Sequence, residues 1–253
     1  MALSVVIPAY NEVRTLATVV GKLLRVPDLL EIIIVDDCST DGTSEEARRL
    51  SEAHAKVHTV RHGLNQGKTA ALKTGISLTR GDIVIIQDAD LEYDPEEIPA
   101  VIEPILNGVA DVVLTSRFLV RKAARVLYFY HYLANKLLTL CSNLFTNINL
   151  TDVESGYKAF RGEILRNLRI ESSGFGFEIE VAAKMAKLGC AIYEVPISYY
   201  GRTYEQGKKI GFMDGVAALW YIFRYNLFCS LKDSFHAIPD LEKLRRETTD
   251  QHR

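Results

Sequence analysis

Short apolar runs, each followed by a stretch with helical spacing, constrain the first half of this chain more than any other feature. Residues 3–7 form a mostly β-branched run, and Val13, Leu16, Val20, Leu23 and Leu24 recur behind it at helical intervals. The pattern repeats: 32–35 before a helical stretch at 44–53, 57–60 before 68–78, and 83–86 before a helix opened by Pro95 and running to about Leu106. Residues 112–114 supply a fifth run. Apolar runs without polar alternation fit strands buried on both faces. Strand–helix alternation of this kind predicts an α/β fold: a Rossmann-like, mostly parallel central sheet with helices on both faces.

After Arg117 the rhythm changes. A long amphipathic stretch at 125–146 leads into a Gly- and Ser-punctuated region, a helix near 178–188 and a strand at 191–195. A polar loop at 199–209 and a last apolar helix follow. No repeat or low-complexity linker interrupts the chain, so one domain is expected over 1–231, with a nucleotide-binding half (1–120) and a second half (121–231). Residues 232–253 are charge-rich with little apolar periodicity and read as a C-terminal tail, either a frayed helix or a loose segment. The segments 126–145 and 216–231 are too broken to span a membrane: His131, Asn135, Lys136 and Asn143 interrupt the first, Arg224 and Asn226 the second. The 30 basic residues against 32 acidic argue against nucleic acid as a partner. Four dispersed cysteines read as free thiols, and the absence of a leader pattern makes the cytoplasm the expected compartment.

In open α/β sheets, ligands gather at the carboxyl ends of strands. Three strand ends here carry polar turns: Pro8-Ala9-Tyr10-Asn11-Glu12, the run from Asp36 to Thr43, and Gln87-Asp88-Ala89-Asp90-Leu91-Glu92. Ser39 or Asp41 could simply cap a helix. Asp88, Asp90 and Glu92 alternate, so an extended segment would place their carboxylates on one face, where repulsion calls for protons or a cation. Hard oxygen ligands select Mg²⁺ or Mn²⁺, which commonly take one or two carboxylates plus a substrate's phosphates. Gly67-Lys68-Thr69 resembles the end of a phosphate loop, but His62 stands where that motif needs glycine, and no Gly-x-Gly-x-x-Gly follows the first strand. Arg202 and Lys208-Lys209 lie among Gly201, Gly207 and Gly211, a cationic loop suited to phosphate.

These three strand ends, together with Ser116-Arg117, Thr151-Asp152, Ser155-Gly156-Tyr157, Arg202 and Lys208, resemble family 2 glycosyltransferases of the GT-A fold. The nearest group is the dolichyl- or polyprenyl-phosphate mannose synthases and their bacterial relatives. The resemblance implies that Pro8, Tyr10, Glu12 and Asp37 line a nucleoside pocket, with Asp36 nearby, and that Asp88, Asp90 and Glu92 hold a metal on the donor diphosphate. Glu92 stands where many members carry glutamine, and Cys38 replaces a common glycine, so an adjusted turn is expected there. Arg117, Arg202 and Lys208 would face the acceptor phosphate. Asp152 would lie beside the acceptor as the candidate base, or else brace its loop against Lys158 or Arg161. The implied activity is inverting transfer of a hexose, mannose from GDP-mannose first among them, to a polyprenyl phosphate. The implied setting is peripheral, at the cytoplasmic face of a membrane, with room for a membrane-protein partner. A UDP-sugar donor, a saccharide hydroxyl acceptor, a non-catalytic binding subunit and a nucleotidyltransferase stay open.

Overall fold

The computed structural model describes residues 1–119, 128–201 and 212–251. The first half follows the expected alternation: β1 (Leu3–Ala9), α1 (Val13–Leu23), β2 (Leu29–Asp36), α2 (Thr43–Ala53), β3 (Val57–Arg61), α3 (Lys68–Leu78), β4 (Ile83–Ile86), α4 (Ile98–Leu106) and β5 (Val112–Ser116). Pro95 opens a short 3₁₀ turn ahead of α4, where its missing N–H costs nothing. Period-two alternation splits β1, β4 and β5 between two cores. Val5, Ile7, Ile32 and Ile34 pack beneath α1, α2 and α4, and Val6, Val84 and Ile86 pack beneath α3 on the opposite face. Strands buried on both sides need no polar positions, which is why their runs read as continuous.

The seven-stranded sheet has the order β3-β2-β1-β4-β6-β5-β7. β6 (Lys158–Arg161) is the departure from the sequence reading. It inserts antiparallel between β4 and β5, while the other pairings are parallel. Two of its four residues are cationic and both are buried, so no apolar run announced it. Lys158 donates to the carbonyls of Val153 and Ser155, and Arg161 donates to Asp111 Oδ1 at 3.1 Å. Because β6 runs backwards, its leading loop lies at the same sheet edge as the carboxyl ends of β1, β2 and β4.

The second half continues with α5 (Phe129–Thr146), α6 (Gly162–Asn167), α7 (Phe177–Leu188), β7 (Ile192–Pro196) and α8 (Phe212–Leu227). α5 and α8 pack together, with the Phe145 and Phe223 rings 5.2 Å apart, yet their outer faces leave Phe129, Tyr130, Leu144 and Trp220 exposed, as is Phe228 just past α8. Among the described residues no helix is long and apolar enough to cross a membrane.

The charged C-terminal segment is not a loose tail over its described length. α9 (Leu231–Ser234) carries a capping box at Ser230, Phe235 is buried and bridges to Leu168, and α10 (Leu241–Gln251) buries Leu244. Arg245 also pairs with Asp111, so one fully buried carboxylate ties β5 to both β6 and α10. Removing one partner of a buried ion pair strands the others. Asp111→Asn is therefore expected to lower unfolding free energy by about 3 kcal/mol in urea denaturation. Glu52→Gln, at an exposed pair with Arg48, should cost under about 0.5 kcal/mol.

Candidate active site

Each of the three parallel strand ends turns through a non-glycine residue in the left-handed region: Asn11 after β1 (φ 56°), Cys38 after β2 (φ 63°) and Leu91 after β4 (φ 62°). Such residues cost on the order of 1–3 kcal/mol each and persist where the surroundings fix them. Side chains do the fixing at the first two. Asn11 N–H donates to Ser39 Oγ at 2.9 Å, and Asn11 Oδ1 accepts from Thr40 N–H at 2.9 Å. The β2 turn is thus not adjusted to accommodate cysteine, as the sequence suggested; Cys38 adopts the glycine-like conformation itself.

These turns enclose a cavity of about 330 Å³ at the carboxyl edge of the sheet. Pro8, Tyr10, Glu12 and Asp37 line it on the β1–β2 side, Asp88, Asp90 and Glu92 at the centre, and Arg117 with Glu154 and Glu178 beyond them. Most of the residues singled out in the sequence therefore meet in one place. Asp36 does not. Its buried carboxylate accepts from Ser39 N–H and lies 3.4 Å from Arg61 Nε, so it braces the β2 turn instead of lining the cavity. Arg202 and Lys208 lie outside the described residues.

Asp37 has a structural task as well. His62 Nδ1 lies 2.7 Å from its carboxylate, which also accepts the N–H groups of Gln66 and Gly67. His62, at the position that ruled out a phosphate loop, thus helps hold the loop that delivers Lys68. Gly67, at φ 87°, takes a conformation that side chains avoid.

The acidic triplet is folded differently from the extended segment expected. Residues 88–92 form a turn, and each carboxylate has a contact of its own. Asp88 Oδ1 lies 2.9 Å from Lys68 Nζ, Asp90 Oδ1 accepts from Glu92 N–H at 3.1 Å, and Glu92 Oε2 accepts from the Tyr199 hydroxyl at 3.0 Å. Among the described residues no three His, Cys, Asp or Glu side chains converge as a cation cage. Asp88 and Asp90 nonetheless both line the cavity, and two carboxylate ligands suit a Mg²⁺ or Mn²⁺ ion that takes its remaining oxygens from phosphates and water.

Several functional residues were not legible as such. Lys68 bridges Asp88 to Glu178, 3.2 Å from the latter's Oε1. Burial works against its charge, but the two carboxylates outweigh that and hold its pKa above the ordinary lysine value. Gly156 permits this assembly: a Cβ there would come within 2.8 Å of Asp88 Oδ2 and 3.2 Å of Lys68 Nζ. Burial, reinforced by the nearby Glu178 charge, pushes the Glu154 carboxyl up to about 7.

Arg117 and Asp152 form a bidentate pair, Nε to Oδ2 at 2.7 Å and Nη2 to Oδ1 at 2.8 Å, with Asn135 donating to the same carboxylate. Burial opposes the Asp152 charge, yet the guanidinium holds its pKa below the ordinary range. Asp152 is fully buried and does not line the cavity. It braces Arg117, not Lys158 or Arg161, and a carboxylate so committed is a poor proton acceptor.

A mostly parallel sheet with an acidic, lysine-bridged cavity at its carboxyl edge gives the chain an α/β fold of the GT-A kind. The chain belongs to glycosyl transferase family 2, whose model matches residues 4–169. It is 32 % identical over 231 residues to the undecaprenyl-phosphate mannosyltransferase of Micrococcus luteus, covering 87 % of this chain and 92 % of that protein. It is 29 % identical over 214 residues to the polyprenol monophosphomannose synthase of Mycolicibacterium smegmatis, covering 82 % and 80 %. Against the dolichol-phosphate mannosyltransferase of Pyrococcus furiosus it is 31 % identical over 217 residues, covering 83 % of this chain and 60 % of the other. Glucosyl-3-phosphoglycerate synthase from Mycobacterium tuberculosis, solved with UDP, shares the fold at a TM-score of 0.68 and 23 % identity, covering 88 % and 79 %.

Glu154 gives this site a pH signature. A carboxyl whose folded pKa is raised takes up a proton on folding, so it weakens the fold most above about pH 7, and the penalty fades as pH falls toward the ordinary carboxylate range. Glu154→Gln is expected to raise the melting temperature more at pH 8 than at pH 5.5. An equal shift at both would place Glu154 outside this environment.

Proposed function

We propose that this chain is an inverting hexosyltransferase that moves a sugar, mannose from GDP-mannose first among candidates, onto a polyprenyl phosphate. The observation that carries the reading is the pair Asp88 and Asp90 at the head of the β4 turn, inside the one cavity shared with Pro8, Tyr10, Glu12 and Asp37. Relatives whose names specify polyprenol, undecaprenyl-phosphate or dolichol-phosphate mannose transfer, covering over four-fifths of this chain, supply the acceptor class.

In this reading Pro8, Tyr10, Glu12 and Asp37 seat the nucleoside. Asp88 and Asp90 would hold Mg²⁺ or Mn²⁺, which supplies Lewis-acid stabilisation to a departing diphosphate when bound. Glu92 stays near enough to support that site while its carboxylate holds Tyr199. Arg117, fixed by Asp152 and lying over the Tyr199 ring at 5.1 Å, offers a positioned cation to the acceptor phosphate, joined by Arg202 and Lys208. An acceptor oxygen attacks the anomeric carbon, the bond to the diphosphate breaks, and a nucleoside diphosphate leaves with inversion at carbon. A phosphate monoester has a second pKa near about 6 and is already nucleophilic at neutral pH, so it needs little help from a base. That agrees with a committed Asp152.

A hydroxyl acceptor is the second reading. Glu154, with a pKa of about 7 in the cavity wall, is the group that favours it. Incubation of the protein with GDP-mannose, UDP-glucose and a short polyprenyl phosphate, followed by mass analysis of lipid products, separates the two. A hexosyl phosphate lipid is expected, together with nucleoside diphosphate; pyrophosphate release would indicate nucleotidyl transfer instead. Asp90→Asn should lower turnover at least a hundredfold with the fold intact, and excess chelator should do the same. Glu92→Gln should stay within about fivefold, since glutamine keeps an oxygen acceptor.

The aromatic outer faces of α5 and α8 support peripheral contact with a membrane, where amphipathic helices lie in the interface without spanning it. Flotation with anionic liposomes should carry the protein upward, and Trp220→Glu with Phe228→Glu should leave it at the bottom of the gradient.

A further inference from the structure

Two carboxylates in the cavity wall keep acceptor atoms that nothing among the described residues satisfies. Glu154 Oε1 and Glu178 Oε2 are both buried and without a hydrogen-bond partner. Glu178 is 4 % exposed, and its other oxygen is held by Lys68 at 3.2 Å. A buried acceptor left unmatched costs stability, and native proteins retain such atoms chiefly where water, an ion or a ligand completes them. Two of them, close enough for one charge to raise the other's pKa, line the same cavity.

The sheet order says what reaches them. At the carboxyl edge, the β1 and β2 ends lie on one side of β4, and the loop leading into β6 lies on the other. The cavity therefore runs from Tyr10 and Asp37, past Asp88, to Glu154. A nucleoside diphosphate sugar has the same linear order: base and ribose, then diphosphate, then hexose. With the nucleoside on the β2 side and the diphosphate at Asp88, the hexose falls against Glu154 and Glu178. Phosphate is repelled by this wall. A hexose ring presents adjacent hydroxyls, each a donor to an unmatched carboxylate oxygen. Lys68 ties Glu178 to Asp88, which fixes the wall relative to the diphosphate position.

We propose that Glu154 and Glu178 are the hexose-recognition wall of the donor pocket, each accepting a hydrogen bond from a ring hydroxyl through its unpartnered oxygen. This rests on the nucleotide-sugar reading above. Neither residue supplies or removes a proton in the transfer; they select which sugar is held. A site built to bind a hydroxyl discriminates against analogues lacking it, because the acceptor is again left bare.

The test is equilibrium binding to the full chain with Mn²⁺, using GDP, UDP, GDP-mannose, UDP-glucose and the monodeoxy analogues of the preferred nucleotide sugar. For the wild type, at least one deoxy analogue should bind about ten- to a hundredfold more weakly than its parent. In Glu154→Ala, which removes the acceptor, nucleoside diphosphate affinity should stay within about twofold, the parent sugar nucleotide should weaken about tenfold or more, and the deoxy penalty should shrink. Glu178→Ala should shift the penalty at a different hydroxyl. If Glu178→Ala does not fold, Glu154→Ala and the wild-type analogue series still decide. Deoxy penalties near one in the wild type, or penalties unchanged in the variants, overturn the proposal and assign the two oxygens to water. A Glu154→Gln enzyme that binds every donor normally but loses all turnover makes it a base, which also overturns it. Wild-type protein that binds no nucleoside diphosphate fails at an earlier step and takes the donor reading down with it.

Discussion

The Lys68 ammonium, 2.9 Å from Asp88 and 3.2 Å from Glu178, is the contact on which the acidic end of this sheet depends. Asp88, Glu178, Glu154 and Asp152 crowd one edge of the fold, and carboxylates so placed destabilise one another unless cations answer them. Three cations do so: half-buried Lys68 for Asp88 and Glu178, half-buried Arg117 for Asp152, and buried Lys158 behind them. This balance has a consequence for a divalent ion. Asp88 already faces an ammonium, so a second cation there raises the positive charge until a diphosphate arrives to share it. Metal and diphosphate are thus expected to bind as a unit, with each strengthening the other.

The reversed strand β6 makes the assembly possible. A sixth parallel strand would have carried its leading loop to the far edge of the sheet. Running antiparallel between β4 and β5, β6 brings residues 152–156 to the ligand edge, with Gly156 against Asp88 and Glu154 in the cavity wall. The same loop carries Asp152, whose bidentate grip orients Arg117 at the end of β5. Site and sheet topology are one construction here, and the charged residues of β6 are their shared cost: Lys158 sits buried with its pKa pushed down by desolvation against the pull of nearby carboxylates, and it donates to two backbone carbonyls.

The sequence was most informative where physics leaves one pattern. β1, β2, β4 and β5 are buried on both faces, so their apolar runs were readable, and the polar turns after β1, β2 and β4 pointed to the ligand edge. β6 was hidden because Lys158 and Arg161 look like surface residues and are not. The C-terminal segment was hidden for a similar reason: α10 docks through Leu244 and one ion pair, too little apolar signal for a periodicity to show. Within the site, Asp88, Asp90 and Glu92 were legible by their spacing, but not the turn that carries them. Lys68 and Glu178 lie 110 residues apart in the chain, and only the fold reveals that they share a charge. Asp152 was legible as a residue beside the site, but its pairing with Arg117 was not, since the two lie 35 positions apart.

The mutual dependence of metal and diphosphate is open to a single titration. Mn²⁺ binding, followed by electron paramagnetic resonance, should be weak in the protein alone and strengthen at least tenfold when GDP or UDP is added. In Asp90→Asn that gain should disappear. Tight Mn²⁺ binding without any nucleotide, or nucleotide binding indifferent to Mn²⁺ and to Asp90, would contradict the account of a cavity whose carboxylates receive a diphosphate through a cation.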